Sequence, residues 1–581
     1  MTGDVNLPHM NQPRMDLPHV NLPHMKWWGW GEEGVSFSHL DKPKLAPFVR
    51  EKIGVDLDAP GSPPPDLASL AVPAPRADEA LRGKLVAALG ADWVRDDDLD
   101  RVVHGYGKSL RDLVRVRAGD FGRLPDLVVY PGSEADVEAV LAAVIEGDAV
   151  LVPFGGGTNI VGSLEAPRTE SRPVVSLDLG RLDRVLELDA DARLAEVEAG
   201  VLGPHLEAQL NARGWTLGHF PDSFTHSALG GWIATRSSGM QSDKYGDIAD
   251  ITRAVRVVTP AGVLVTRAVP STSTGPSVRE MVLGSEGRLG VITQATVQVH
   301  RLPEERTIIG YFYPDWSSAL AAMQAIAASD TSPSVTRVSD ADETQFSLST
   351  SKAGSLVSKL QSAGLKQFLK RVKGFDLDRA CLSFVGFEGG PDHVKAQRKA
   401  VGRIVSQHGG LAVGTGPGQL YDQKKFDTPY IRDYLLDRGG FADVSETSAP
   451  WSRLDGLHTA VRLAAGAAFE RIGVTGFVMC HLSHSYHSGA CLYFTFAFRP
   501  RVAGADGGDM APLDQYDVVK AAIQQAFVDN GATLSHHHAV GVEHARWLAE
   551  DISPVGVTMI RVLLDGIDPD HRLNPDKIVP R

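Results

Sequence analysis

The chain has 581 residues, 43% hydrophobic and 22% charged, room for about two to four domains with large cores. Its formal net charge of −13 argues against nucleic acid as a main partner, and its three cysteines, Cys381, Cys480 and Cys491, exclude a disulfide scaffold and suit a reducing compartment. No run of about 18 apolar residues and no positively charged leader is present, so neither a membrane span nor a signal peptide is expected.

The first 25 residues repeat: Asn6-Leu-Pro-His-Met10, Asp16-Leu-Pro-His-Val20 and Asn21-Leu-Pro-His-Met25, with Asn11-Gln-Pro-Arg-Met15 a degenerate copy. Such regular prolines deny helix and sheet, so 1–25 reads as a disordered tail rather than a metal-binding segment. Met25 is a candidate true start. Residues 26–120 open with Lys26-Trp-Trp-Gly-Trp30 and read as a helical and linker region, with a Pro-rich linker from Ala59 to Pro75 and a helical patch from Asp78 to Leu89.

Regular α/β patterning begins after Leu124. Leu127 to Tyr130 reads as a buried strand. Ser133 is placed to cap a helix with the apolar face Val137, Val140, Leu141 and Val144, which Gly147 stops. Ala149 to Val152 is the next strand, so the three elements imply a βαβ unit. That strand delivers Pro153-Phe-Gly-Gly-Gly-Thr-Asn159. Glycines 155, 156 and 157 let backbone N–H groups close on an anion such as a diphosphate, although the spacing fits neither the dinucleotide fingerprint nor the P-loop. Val174 to Leu177 and Ala195 to Gly200 are further strands, a helix runs from Pro204 through Leu210, Ile251 to Thr266 is a hairpin, and Gly290 to Val299 is a strand. Two more loops crowd small residues together, Pro221 to Gly239 and Gly284 to Ile292.

Together and in this order, these three loops resemble the FAD-binding domain shared by vanillyl-alcohol oxidase and p-cresol methylhydroxylase. The resemblance implies an α+β fold: a two-subdomain FAD-binding domain at 121–303, an α+β substrate (cap) domain at 304–530, and a segment at 531–581 completing the FAD domain. It assigns FAD binding to Pro153, Phe154, Gly155, Gly156, Gly157, Thr158, Asn159, Asp222, Ser223, Ser227, Ala228, Thr235, Arg236, Ser237, Ser238, Glu286, Gly287, Gly290, Val291 and Ile292. Covalent members of that family often attach flavin through histidine or cysteine; here Thr158 and Asn159 occupy the loop, so the FAD is expected to be non-covalent.

Farther along, Ala490 to Phe498 alternates. Leu492, Phe494, Phe496 and Phe498 share one strand face; Cys491, Tyr493, Thr495 and Ala497 share the other. Tyr493 is either a half-buried aromatic with a satisfied hydroxyl or a proton-transfer group. In extended chain His536 and His538 share a face. No carboxylate or cysteine lies at ligand spacing in the sequence, so no metal is expected, and histidines titrating near neutrality suit a proton relay.

His219, Thr235-Arg-Ser-Ser-Gly-Met240, Tyr430-Ile-Arg-Asp433, Glu446-Thr-Ser-Ala-Pro-Trp451, Gly489 to Phe494 and Ser535-His-His-His538 resemble the alkyldihydroxyacetonephosphate synthase family. The resemblance implies a redox-neutral exchange of the acyl group of acyl-dihydroxyacetone phosphate for a long-chain fatty alcohol, through a bond between flavin N5 and the substrate carbon. It places Tyr493, His536, His537, His538 and His219 in catalysis and Arg432 and Arg337 on the substrate. Phe220 and Thr495 depart from the peroxisomal enzymes at positions bearing on alcohol specificity. The runner-up activity is an FAD-linked 2-hydroxy-acid dehydrogenase or oxidase. The tail, Ile578-Val-Pro-Arg581, carries no peroxisomal signal, so a cytoplasmic location is expected; a homodimer is expected as well. The basic stretch 352–375, with Leu365, Phe368, Leu369 and Val372 on one helical face, is expected to dock on an anionic membrane surface.

Overall fold

In the computed structural model, which describes residues 24–351, 375–376, 378–424, 426, 428–502 and 510–581, local signals build the first sheet as expected. Ser133 caps the helix Glu134–Glu146 by accepting from the Asp136 N–H, and Gly147 ends it. Val137, Val140, Leu141 and Val144 are buried under that sheet, each contributing about 1.5–3 kcal/mol of apolar burial. Strands β1 (Val94–Arg95), β2 (Leu127–Val129), β3 (Val150–Phe154) and β4 (Val174–Asp178) lie in the order β1-β2-β4-β3, the last three parallel. The expected unit therefore has the right elements, but β4 separates β2 from β3. β4 is buried along its whole length, and such a run carries no alternation that would tell which neighbours it takes.

The second sheet is antiparallel. It holds β5 (Val185–Asp189), β6 (Leu194–Glu198), β8 (Thr252–Thr259), β9 (Gly262–Val265) and β10 (Val291–Gln298) in the order β5-β6-β10-β8-β9, while β7 (Trp215–Thr216) pairs with β11 (His300–Arg301). The expected hairpin is β8–β9.

The third sheet belongs to the 302–498 region and contains β12 (Glu305–Tyr313), β13 (Val335–Ser339), β14 (Cys381–Gly389), β15 (Leu411–Gly414), β16 (Phe441–Pro450), β17 (Gly476–Ser485) and β18 (Gly489–Phe498). Their order is β15-β12-β14-β13-β17-β18-β16, all antiparallel. Helices Trp316–Ala327, Pro391–Gln407, Leu454–Ile472 and Pro512–Asp529 cover one face. Leu492, Phe494, Phe496 and Phe498 point into that core, all fully buried, which leaves Tyr493, Thr495 and Ala497 for the opposite face.

Two chain ends close the assembly. Helix Leu45–Ile53 packs Leu45, Ala46, Val49 and Ile53 against Leu435, Ala442 and Ala497. The last residues return to β3, where the Leu151 N–H donates to the Arg572 carbonyl at 2.7 Å and the Asn574 N–H donates to the Leu151 carbonyl at 2.8 Å. Apart from His24, Met25 and Phe375, the repeat 1–25 and the basic stretch 352–375 lie outside the described residues. No helix among the described residues is long and apolar enough to cross a membrane.

Candidate functional site

A cavity of about 780 Å3 runs from the glycine-rich loops to the exposed face of the third sheet. β3 carries the first loop to it. A Cβ on Gly156 would stand 1.6 Å from the His226 carbonyl oxygen, and Gly157 has φ +66° with room only for hydrogen beside the Phe154 ring. These glycines let the loop press against residues 226–228 and turn, in addition to baring N–H groups. The Asn159 side chain folds the loop, accepting from the Val161 and Ser163 N–H groups at 3.1 and 2.8 Å.

Pro153, Phe154, Gly155, Gly156, Gly157, Thr158, Asn159, Asp222, Ser223, Ser227, Ala228, Thr235, Ser237, Ser238, Glu286, Gly287, Gly290 and Ile292 all line the cavity. Arg236 and Val291 are not among the residues that line it. Arg236 has φ +53°, and its side chain turns out to Glu280 at 3.2 Å. Val291 points into the core, as strand alternation requires once Gly290 and Ile292 face the cavity. Glu286 lines the wall but is committed to structure: its carboxylate accepts from the Ser163 hydroxyl and from the Val540 and Gly541 N–H groups. His219 sits behind the wall, 1% exposed, with Nε2 3.2 Å from the Ser237 hydroxyl; burial pulls its pKa down to about 3.

At the far end the third sheet presents Tyr493 between two imidazoles. Its ring stacks on His481 at 4.9 Å and on His537 at 6.0 Å, with His538 edge-on at 5.5 Å. Burial above all, then Asp222 and Glu446, raises the Tyr493 pKa well above its ordinary value. The three histidines are not extended. They form a turn around Glu446, which is 1% exposed and accepts from the Ser535 hydroxyl at 2.5 Å and from the His536, His537 and His538 N–H groups at 2.6, 3.1 and 3.0 Å. Burial opposes ionisation of Glu446, but His537, His538, His536 and the Ser535 hydroxyl outweigh it and hold the carboxyl below the usual range.

The turn divides the triplet. His537 and His538 line the cavity; His536 faces Tyr486, whose hydroxyl donates to Asp247 at 2.7 Å. With that proton spent, His536 Nε2 must donate to Tyr486, 2.5 Å away, so His536 Nδ1 accepts from His537 Nδ1 at 3.0 Å. This assignment leaves the lone pair of a neutral His537 on Nε2. Glu446 and Cys491 also approach His536 and His537, so the spacing argument against nearby ligands fails in space. His481, His484, Tyr486, Asp247 and Glu446 were not anticipated as functional groups.

Arg337 and Arg432 both line the cavity. Arg337 donates to Glu343 at 2.7 Å and lies 3.0 Å from His481 Nδ1. Arg432 pairs with Asp433 at 3.1 Å and donates to the Lys108 carbonyl at 2.5 Å, so its ion pair is buried rather than a surface one. Phe48, Ile53, Phe346, Leu435, Phe477 and Met479 give the cavity an apolar arm.

Glu446→Gln tests the turn. The amide would set a donor against backbone donors, costing about 1–3 kcal/mol in denaturant unfolding and lowering turnover further by disordering His537. Unchanged stability and turnover would show that Glu446 does not organise the triplet.

The residues suit a bound flavin dinucleotide. The glycine cradle is shaped by backbone contact, and Asn574, 2% exposed, lines the cavity with an unpartnered buried Oδ1 while its Nδ2 donates to the Ser163 and Glu286 carbonyls. Comparison with known proteins agrees. Residues 125–267 match the family described as "FAD binding domain" and residues 302–578 "FAD linked oxidases, C-terminal domain". The alkyldihydroxyacetonephosphate synthase of Dictyostelium discoideum is 37% identical over 579 residues, covering 96% of this chain and 93% of its own. A crystal structure of an alkyldihydroxyacetonephosphate synthase superposes with TM-score 0.82 at 34% identity, over 95% of this chain and 98% of the other. p-Cresol methylhydroxylase shares the fold, with TM-score 0.63 at 14% identity over 86% of this chain and 96% of its own.

Proposed function

The chain belongs to the alkyldihydroxyacetonephosphate synthase family, and we infer that its cavity exchanges the acyl group of acyl-dihydroxyacetone phosphate for a long-chain alcohol. The carbon–oxygen bond to the carboxylate breaks, a carbon–oxygen bond to the alcohol forms, and the alcohol proton passes to the protein, with no net change in electrons. FAD, held non-covalently by the glycine-rich loops, supplies when bound the reactive ring against which the substrate carbon is activated.

The observation that carries this reading is the stacking of Tyr493 between His481 and His537 on a cavity that also holds two arginines and an apolar arm. Arg337, bound to Glu343 through Nη2 alone, has N–H groups left for the phosphate, and Arg432, its Nε and Nη2 held by Asp433 and its Nη1 by the Lys108 carbonyl, adds positive charge beside it. The apolar arm takes the acyl and alkyl chains. Tyr493, its pKa raised, keeps its proton at neutral pH and donates it. His537 accepts at Nε2 in the tautomer set by Asp247, Tyr486 and His536. His538, its pKa pulled well below the ordinary value by burial and then by His537, stands beside it as a neutral acceptor. His219, behind Ser237, positions that wall rather than touching substrate.

Anaerobic mixing tests the reaction class. With acyl-dihydroxyacetone phosphate and alcohol, fatty acid should be released over many turnovers without lasting loss of flavin absorbance, and D-lactate or glycolate should leave the colour unchanged. Lasting bleaching by a 2-hydroxy acid would make the chain a dehydrogenase instead.

A further inference from the structure

Outside the cavity, three segments bring two imidazoles and a carboxylate to one point. His104 follows the helix Asp98–Val103 and Asp178 ends β4 opposite Phe154 in register; His24, the last histidine of the repeat that composition reads as a disordered tail without metal, is placed against them just before the tryptophan-rich segment. His24 Nε2 and His104 Nε2 each lie 2.9 Å from the same Asp178 oxygen, Oδ2. His104 and Asp178 are buried, at 0% and 2% side-chain exposure, while His24 is 21% exposed.

Hydrogen bonding makes this convergence informative. His104 Nδ1 faces the Asp100 carbonyl at 2.7 Å. A carbonyl only accepts, so Nδ1 carries the proton, and Nε2 of a neutral ring then bears a lone pair aimed at a carboxylate oxygen with no hydrogen to offer. A lone pair facing a carboxylate in a buried site repels, so a positive centre belongs there. A backbone carbonyl on the remote ring nitrogen is also the usual outer partner of a metal-bound histidine. Asp178 Oδ1 is occupied by the Gly180 N–H at 2.6 Å, which leaves Oδ2 for the shared point. Phe154 walls the site at 4.2 Å from His104, and the three donor atoms lie within 4.8 Å of one another.

We propose that His24 Nε2, His104 Nε2 and Asp178 Oδ2 bind one divalent transition-metal ion, zinc by donor set, with water from the exposed His24 side as the fourth ligand. Zinc–donor bonds of about 2.0–2.2 Å require the donors to part slightly, which His24, less buried than His104 and Asp178, allows. The ion fastens the segment that follows His24. There Met25 is buried, the Lys26 carbonyl accepts from Lys108 Nζ at 2.6 Å, and the Trp30 N–H donates to Asp433 at 2.5 Å. Because Phe154 leads directly into Gly155, the clamp joins this strap to the cofactor loop.

The rival is a shared proton: imidazolium on the same carboxylate. Metal content decides between them, measured on the full flavin-loaded chain carrying His9→Ala and His19→Ala so that upstream histidines hold none. After zinc addition and dialysis, about one zinc per chain should remain, and His24→Ala and His104→Gln should each lose it with flavin content unchanged. A chelator should lower the melting temperature of the parent but not of His24→Ala. Equal zinc in parent and His24→Ala, or no retained zinc with a melting temperature that responds only to pH, would overturn the metal clamp.

Discussion

Tyr493→Phe should lower turnover by about a hundredfold or more while the protein keeps its fold and its yellow colour. The substitution removes one hydroxyl and leaves the ring, so stacking on His481 at 4.9 Å and His537 at 6.0 Å survives. Leu492 and Phe494, its neighbours on β18, stay fully buried in the opposite core and hold the strand in place. The loss should fall on kcat, because the hydroxyl acts on the reacting atoms while the arginines and apolar arm hold substrate. An unchanged melting temperature with collapsed turnover fits proton transfer. Near-normal turnover would reduce Tyr493 to packing.

Gly156→Val should yield colourless protein. The added Cβ would lie 1.6 Å from the His226 oxygen and 2.7 Å from its carbon, both backbone atoms that no rotamer change can move. Either the glycine loop or residues 226–228 must retreat, and both wall the cofactor end of the cavity. Acid precipitation of the parent should release FAD into the supernatant. A Gly156→Val variant with full flavin content would show that this loop does not form the cofactor wall.

Much of the fold was legible where the deciding signal is local. Ser133 and Gly147 bound their helix, and the alternation from Leu492 to Phe498 separated the core from the face bearing Tyr493. Pairing order was not legible, because the fully buried β4 is compatible with several neighbours. The same limit applies at the site. Glu446 acts through N–H groups of residues 536–538, and nothing near Glu446 in the chain announces that contact. His481 and His484 did leave a signal: they follow the apolar run Phe477-Val-Met-Cys480 with imidazoles in the same strand. Arg236 was assigned to the cofactor by the resemblance alone, and a left-handed backbone that no local signal announces turns its side chain to Glu280.

The central claim is ether formation without net redox change. The most direct measurement is mass spectrometry of lipids after the purified, FAD-loaded chain meets acyl-dihydroxyacetone phosphate and a long-chain alcohol. The account predicts alkyl-dihydroxyacetone phosphate and free fatty acid in equal amounts, both dependent on added alcohol and both about a hundredfold lower with Tyr493→Phe. An oxidised substrate with reduced flavin, and no ether lipid, would contradict it.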